Sequence, residues 1–288
     1  MIANPQSPNP SPSPLAQDPP EARWLLAWLD DNEAIPLVLG HPLLPTDDLA
    51  SVRGRIDNVR KARAARQPWQ QANPVVPGDA SVLRALAARQ NLQTAFAGTS
   101  WRPAHVDLRR VLSLQKHMSI AGQAERVAKT PLLDLCLPTS SQPELRCSQD
   151  GDGKGMTLSS RDLNLRVAGV GFSEVQVSPG VTRPAVQVFV DVPMSLVTVA
   201  RFKGRFYLRD GYHRTGGLLR AGMPIVPCVV VDVNSMQELA PAPTLFSEAV
   251  LFDDRPPALT DFWDDSVVYA GHRPGQRFIR VRGDEVVH

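Results

Sequence analysis

The sequence predicts an α+β fold: a mixed-sheet core preceded by a helical N-terminal region. Three observations lead there. The first hundred residues carry helical apolar spacing and helix caps. The second half is rich in Val-laden runs with turn residues between them. One short helix, opened by Asp-Gly and closed by Gly, lies between two of those runs. Of the 288 residues 43% are hydrophobic, enough to bury a core and to exclude a wholly disordered chain.

In chain order, residues 1–21 are Pro, Ser and Asn with little to bury and read as a disordered tail, partly polyproline II. Residues 22–100 read as a helical region. Trp24, Leu25, Leu26, Trp28 and Leu29 suggest a first helix with a broad apolar face. Thr46-Asp47-Asp48 cap a second, running to about Gln67 before Pro68. A third starts near Gly78-Asp79 and ends near Gly98, with Val82, Leu83, Leu86 and Leu92 inward. From 101 to 240 a core is expected, with an insertion near 138–190. It opens on the strand-plus-turn HVDLRRVLSL, followed by a helix within 119–137. Residues 138–162 are polar. LNLRVAGVGF, PAVQVFVDV, SLVTVARF and RFYLRD then read as strands, with Lys203-Gly204 as the tight turn of the last hairpin. A helix from Tyr212 to about Ala221 and the strand PIVPCVVVDV complete the core. Residues 241–288 form a C-terminal extension, with a helix near 246–252 and strands near 265–270 and 276–282.

Charge and cysteines narrow the function classes. With 31 basic and 29 acidic side chains the net charge is +2, which argues against a nucleic-acid coat or a polybasic membrane anchor. There is no run of about 18 apolar residues and no signal-like N-terminus, so no membrane partner is expected and the location reads as cytoplasmic. Cys136, Cys147 and Cys228 form no C-x-x-C pair. The basic run Arg53, Arg55, Arg60, Lys61, Arg63 and Arg66 allows two readings, a DNA contact or a solvated helix face whose aliphatic stems cover the core.

The informative stretch is 195–233, strand, hairpin, strand, Asp210-Gly211-Tyr212-His213-Arg214, helix, strand. Gly211 allows a sharp turn at a strand end. The helix that follows begins with N–H groups lacking internal acceptors and with the positive end of its dipole. His213 and Arg214 then sit where an anion would bind, and Arg holds phosphate through two donors. Gly216 and Gly217 each cost roughly 1 kcal/mol relative to Ala, a cost suited to close approach by a strand or a ligand. The bland readings are Asp210 as a helix cap, His213 as a satisfied imidazole and Arg214 paired with Asp191 or Asp232.

The segment resembles the ParB/sulfiredoxin-like superfamily, through Asp210, Gly211, His213 and Arg214 and the flanking Gly222, Pro224, Pro227 and Val230. The resemblance covers about 40 residues strongly, and a weaker one begins at VDLRRVLSLQ. It implies a nucleoside triphosphate with Mg²⁺, bound through Gly211, Tyr212, His213, Arg214 and Thr215. Members of the superfamily clamp DNA with CTP, repair oxidised peroxiredoxin with ATP and a cysteine, or phosphorylate free serine. The chain departs from each. Tyr212 stands where sulfiredoxins carry the catalytic cysteine, and the last 50 residues show no helix-turn-helix pair. For phosphoryl transfer or nucleotide hydrolysis the motif offers Asp210 as the carboxylate, with Glu125 a remote candidate. The expected function is therefore nucleotide (phosphate) binding. The alternatives are a nucleotide-switched, DNA-associated module, or an interaction protein that keeps the fold without the ligand.

Weaker signals lead nowhere specific. DGDGKG at 150–155 has calcium-loop residues at Asp150, Asp152 and Gly155, but Lys154 and Arg161 break the pattern. Gly153-Lys154 does not complete a Walker A loop. Asp253-Asp254 and Asp264-Asp265 read as solvated turns or, folded over the site, as Mg²⁺ ligands. No residue is assigned as a protein metal ligand.

Overall fold

A computed structural model describes residues 21–40, 48–120, 123–140, 145–151, 155–160, 165–191, 194–240, 244–272 and 277–282. The expected tail over 1–20, the capping pair Thr46-Asp47, and Asp152, Gly153, Lys154 and Arg161 of the calcium-loop comparison lie outside them. Helices and strands mix in an α+β architecture around a six-stranded sheet. In spatial order its strands are Val75–Val76, Ser100–Asp107, Ile225–Asp232, Thr198–Phe202, Arg205–Asp210 and Leu112–Ser113. Two neighbouring pairs run parallel, 198–202 with 225–232 and 205–210 with 112–113. The others are antiparallel.

The centre of this sheet is buried because its strands are apolar on both faces. Val226, Val229 and Val230 are 0% exposed, as are Val199, Ala200, Tyr207 and Leu208. The hairpin between 198–202 and 205–210 turns at Lys203-Gly204, whose φ angles of 45° and 79° are those of a type I′ turn. The helix Tyr212–Arg220 leaves the end of that hairpin, and Gly222 at φ 72° closes it.

The first expected helix is not a helix. Glu21–Trp24 is the middle strand of a three-stranded sheet, between Tyr269–His272 and His117–Ser119, and a 3₁₀ turn covers Leu26–Trp28. The apolar run is buried all round: Leu25, Leu26, Ala27, Trp28 and Leu29 are each at most 5% exposed. Periodicity cannot separate such a run from a helix. The N-terminal helix is Asp31–Leu39, capped by Asp30 despite Pro36 inside it. The second helix, Leu49–Ala64, has Asp48 as its N-cap.

The third expected helix is two, Ala80–Ala87 and Gln90–Ala95. Tertiary bonds hold the break: Arg89 donates to the Leu137 carbonyl at 2.9 Å and Asn91 to that of Pro138 at 3.0 Å. Leu86 and Leu92 face inward as expected, whereas Val82 is exposed. The region 119–137 carries two short helices, Gln123–Lys129 and Leu132–Cys136. The polar stretch after 138 contributes strands Leu145–Gln149 and Gly155–Ser160, which join Arg277–Arg282 in a separate sheet. In the C-terminal extension the expected helix is Glu248–Leu251.

The extension is tied to the N-terminal region rather than hanging free. Arg63 pairs with Asp253 at 3.0 Å and Arg66 with Asp261 at 2.8 Å and with Asp264. The guanidinium carbons of Arg63 and Arg66 lie 5.4 and 5.6 Å from the Trp28 ring centre. Arg60 pairs with Asp31 at 2.7 Å. Three of the six cations of the basic run, Arg60, Arg63 and Arg66, are thus ion-paired within the protein, and two of them lie over the Trp28 ring. Among the described residues no helix is long and apolar enough to cross a membrane.

Candidate functional site

The site is built at the junction of Arg205–Asp210 and the helix Tyr212–Arg220. Gly211 holds φ 95°, a left-handed conformation that an L side chain rarely adopts. It also lacks room for one: a Cβ there would lie 2.9 Å from Val197 Cγ2 and 3.0 Å from Val197 Cα. The turn therefore needs glycine twice over. Its carbonyl accepts from the amides of Arg214 and Thr215, at 3.0 and 2.9 Å, and so starts the helix. Gly211 is itself the N-cap, so Asp210 does not cap this helix through its side chain.

Asp210 instead holds the loop beside it. Ser195 donates its hydroxyl to the two carboxylate oxygens at 2.9 Å each, Leu196 N lies at 3.3 Å and Gly211 N at 2.6 Å. Arg214 completes the arrangement. Its Nη1 donates to the carbonyls of Leu135, at 3.0 Å, and Ser195, at 2.8 Å, while its Nη2 donates to Ser195 Oγ. A hydrogen-bond chain thus runs from Arg214 through Ser195 to Asp210, from the first turn of the helix to the strand end before it. Arg214 is not paired with Asp191 or Asp232, which bind Arg166 and Arg201 instead. Ser195 is the residue sequence reasoning missed. It sits 15 positions before Asp210 in a loop with no motif, and only the fold brings it there.

Tyr212 departs from its expected place in the phosphate site. Its ring is 3% exposed and meets Phe262 edge-on, with ring centres 6.4 Å apart. Its hydroxyl donates to Leu208 O at 2.7 Å and accepts from Leu114 N at 2.7 Å and Gln115 N at 3.1 Å. Burial pushes this phenol up to about 12, so it stays neutral. Tyr212 therefore locks the helix to the strand Leu112–Ser113. Thr215 is also withdrawn: it is 0% exposed and its hydroxyl donates back to the Gly211 and Tyr212 carbonyls, at 3.1 and 3.2 Å.

His213 and Arg214 are the half-buried residues of the first turn. Gly216 and Gly217 face protein, not open space. A Cβ on Gly216 would meet Met118 Sδ at 2.6 Å, and one on Gly217 would meet Val127 Cγ2 at 3.0 Å and Gln123 O at 3.2 Å. The close approach that the two glycines signalled is that of the strand His117–Ser119 and the helix Gln123–Lys129. Glu125, on that helix, pairs with Lys129 at 2.7 Å. Cys136 is buried beside Arg214, and burial pushes its thiol up to about 12 against that cation's influence. Thiolate chemistry is not offered there.

Of the C-terminal acids, Asp253, Asp264 and Asp265 each pair with an arginine. Among the described residues no cluster of His, Cys, Asp or Glu could hold a metal ion. A cavity of about 450 Å³ lies elsewhere, lined by Trp28, Glu33, Lys116 and Phe246 among others, and contains none of the motif residues. No family model, curated protein or solved structure matches the chain.

Proposed function

We propose that the protein binds a nucleotide through its phosphates at the start of the Tyr212–Arg220 helix. The observation that carries this reading is the left-handed Gly211 turn, which opens a nine-residue helix with His213 and Arg214 half-buried in its first turn. A helix start supplies amide donors and positive potential to an anion, and the two side chains add donors of the right kind. The resemblance to the ParB/sulfiredoxin-like superfamily points to the same ligand on Asp210, Gly211, His213 and Arg214. Here Arg214 contributes charge while its N–H groups brace Leu135 and Ser195. Asp210 acts as a positioning residue: its oxygens accept from Ser195, Leu196 and Gly211. The reading is therefore phosphate binding, with Asp210 shaping the turn that presents the helix start. Mg²⁺ would accompany the nucleotide and neutralise charge on its phosphates. A cytoplasmic location goes with this reading, since Cys136, Cys147 and Cys228 are free thiols.

A second reading has one observation of its own. The described hydrogen bonds of Arg214 run to Leu135 and Ser195, so the motif also suits an interaction protein that keeps the fold and not the ligand. A thermal-shift series with CTP, ATP, GTP and ADP, each with and without Mg²⁺, separates the two. A nucleotide at 100 times its dissociation constant stabilises by about 2.7 kcal/mol. The expected result is a shift that a folded His213→Ala variant no longer shows. No shift with any nucleotide, together with a lowered melting temperature in Arg214→Ala, decides for the second reading.

A further inference from the structure

The cavity of about 450 Å³ lies between the N-terminal region and the C-terminal extension and shares no residue with the Gly211 turn. Its volume is that of a small-molecule pocket. Separate stretches of the chain wall it, and each is fixed by bonds of its own. Trp28 donates from its indole to the Arg255 carbonyl at 2.7 Å, and Arg63 covers its ring. Phe246 N donates to Leu114 O at 3.0 Å, and Leu245 bridges to Gln115. Leu25 N donates to Lys116 O at 2.9 Å. Asp30 caps the helix Asp31–Leu39, accepting from Glu33 N at 3.0 Å. The walls are therefore set before any ligand arrives.

We propose that this cavity binds a small organic cation, a protonated amine whose apolar body lies against Trp28, Phe246 and Val250 and whose ammonium pairs with Asp30. The lining has an apolar part, to which Met236 and Leu245 also belong, and a charged part of Asp30, Glu33 and Lys116. The charges do not cancel. Lys116 is spent on Glu33, and its side chain is only 18% exposed. Of the residues next in the chain to the lining, Asp31 pairs with Arg60 and Glu248 with Lys203. Asp30 is the remainder: among the described residues it accepts one backbone bond and faces no cation. A carboxylate has about four acceptor sites, so the cap leaves capacity for another donor. Charge then selects the ligand class. An anion would meet two carboxylates against one ammonium. A zwitterion would have to draw Lys116 away from Glu33. An uncharged molecule leaves Asp30 unmatched. An ammonium gains Asp30 and breaks no existing pair, and the low-dielectric walls strengthen that attraction over one at an open surface.

The test is a calorimetric titration of the full chain with 2-phenylethylamine and with 3-phenylpropanoate. The two probes share the ring and differ in the sign of their charge, and ligands of this size are titrated into the millimolar range. The amine is expected to bind at least about tenfold more tightly than the carboxylate. Asp30→Asn keeps the helix cap, since Asn caps about as well as Asp, and should lose about tenfold in affinity for the amine. Val250→Phe fills the cavity and should remove amine binding. Near-UV circular dichroism checks the fold of both variants. A wild type that takes neither probe, or both alike, overturns the proposal without recourse to a variant. A folded Asp30→Asn with wild-type affinity for the amine overturns it as well. Amine binding undiminished in a folded Val250→Phe would place the amine on an outer carboxylate and overturn it too.

Discussion

At the scale of single residues, the motif separates into side chains that hold the fold and side chains left half-buried in the first turn of the helix. Tyr212 belongs to the first group. Removing its hydroxyl leaves the buried amides of Leu114 and Gln115 without their acceptor. A buried donor left unsatisfied costs about 1–3 kcal/mol. Tyr212→Phe should therefore lower stability by about that much in urea titrations, with the nucleotide-induced shift kept. An unchanged midpoint would mean that water or a shifted backbone replaces the hydroxyl. Gly211→Ala should cost more than Tyr212→Phe, because strain at φ 95° adds to collision with the Val197 backbone. The sequence made much of this legible. Asp210-Gly211 announced the turn, and His213-Arg214 carried the expectation of an anion site. Tyr212 did not announce its burial, because an aromatic beside a turn glycine reads equally well as a stacking platform or as core. Ser195 was invisible, since its partnership with Asp210 and Arg214 exists only once the hairpin has formed.

At the scale of elements, glycine in a helix means different things in different surroundings. Gly54 lies within Leu49–Ala64, and a Cβ there meets nothing within 4 Å. Gly54→Ala should stabilise the protein by up to about 1 kcal/mol through helix propensity alone. Gly216→Ala gains the same propensity and should nonetheless destabilise, because its Cβ would meet Met118 Sδ at 2.6 Å and Gln123 Nε2 at 3.1 Å. Opposite signs for the two variants in parallel thermal melts are the expected outcome. Equal signs would show that the helix Gln123–Lys129 is not held against Gly216 and Gly217. Element types were readable where caps and periodicity agreed: Asp48 and Asp79 begin helices as their residue type suggests. They failed where tertiary structure decided. The 22–29 run became strand and 3₁₀ turn because it is enclosed by two partner strands. The 78–98 helix broke where Arg89 and Asn91 found carbonyls at 137 and 138.

At the scale of the whole molecule, the basic helix and the acidic C-terminal segment close on each other, and this makes stability depend on acid. Burial opposes ionisation at Asp253 and Asp264, but hydrogen bonds and the cations of Arg63 and Arg66 more than offset it, so both carboxyls sit below the usual range. Asp107 is lowered chiefly by its hydrogen bond from Arg109. For each of these the unfolded chain binds the proton more readily than the folded one. Their contribution is present above the unfolded value near 4 and is lost as pH falls through the lower folded values. Asp261 works in the opposite sense. Burial raises it despite Arg66, so its term favours the fold at low pH and is lost as pH rises through its folded value. With Asp79, lowered by its hydrogen bonds from Ser81 and Val82, four lowered carboxyls against one raised give a melting temperature that declines below about pH 4. Asp253→Asn should start from a lower melting temperature, having lost the ion pair with Arg63, and should decline less steeply with acid. Melting curves from pH 6 to pH 3 on both proteins test this, and parallel slopes would show that the clamp between residues 63–66 and 253–264 carries none of the acid response. The same clamp bears on partners, because Arg60, Arg63 and Arg66 are held by Asp31, Asp253, Asp261 and Asp264. A DNA backbone would have to displace those carboxylates to use these three cations, so the near-neutral charge of the chain and its fold argue against that contact together.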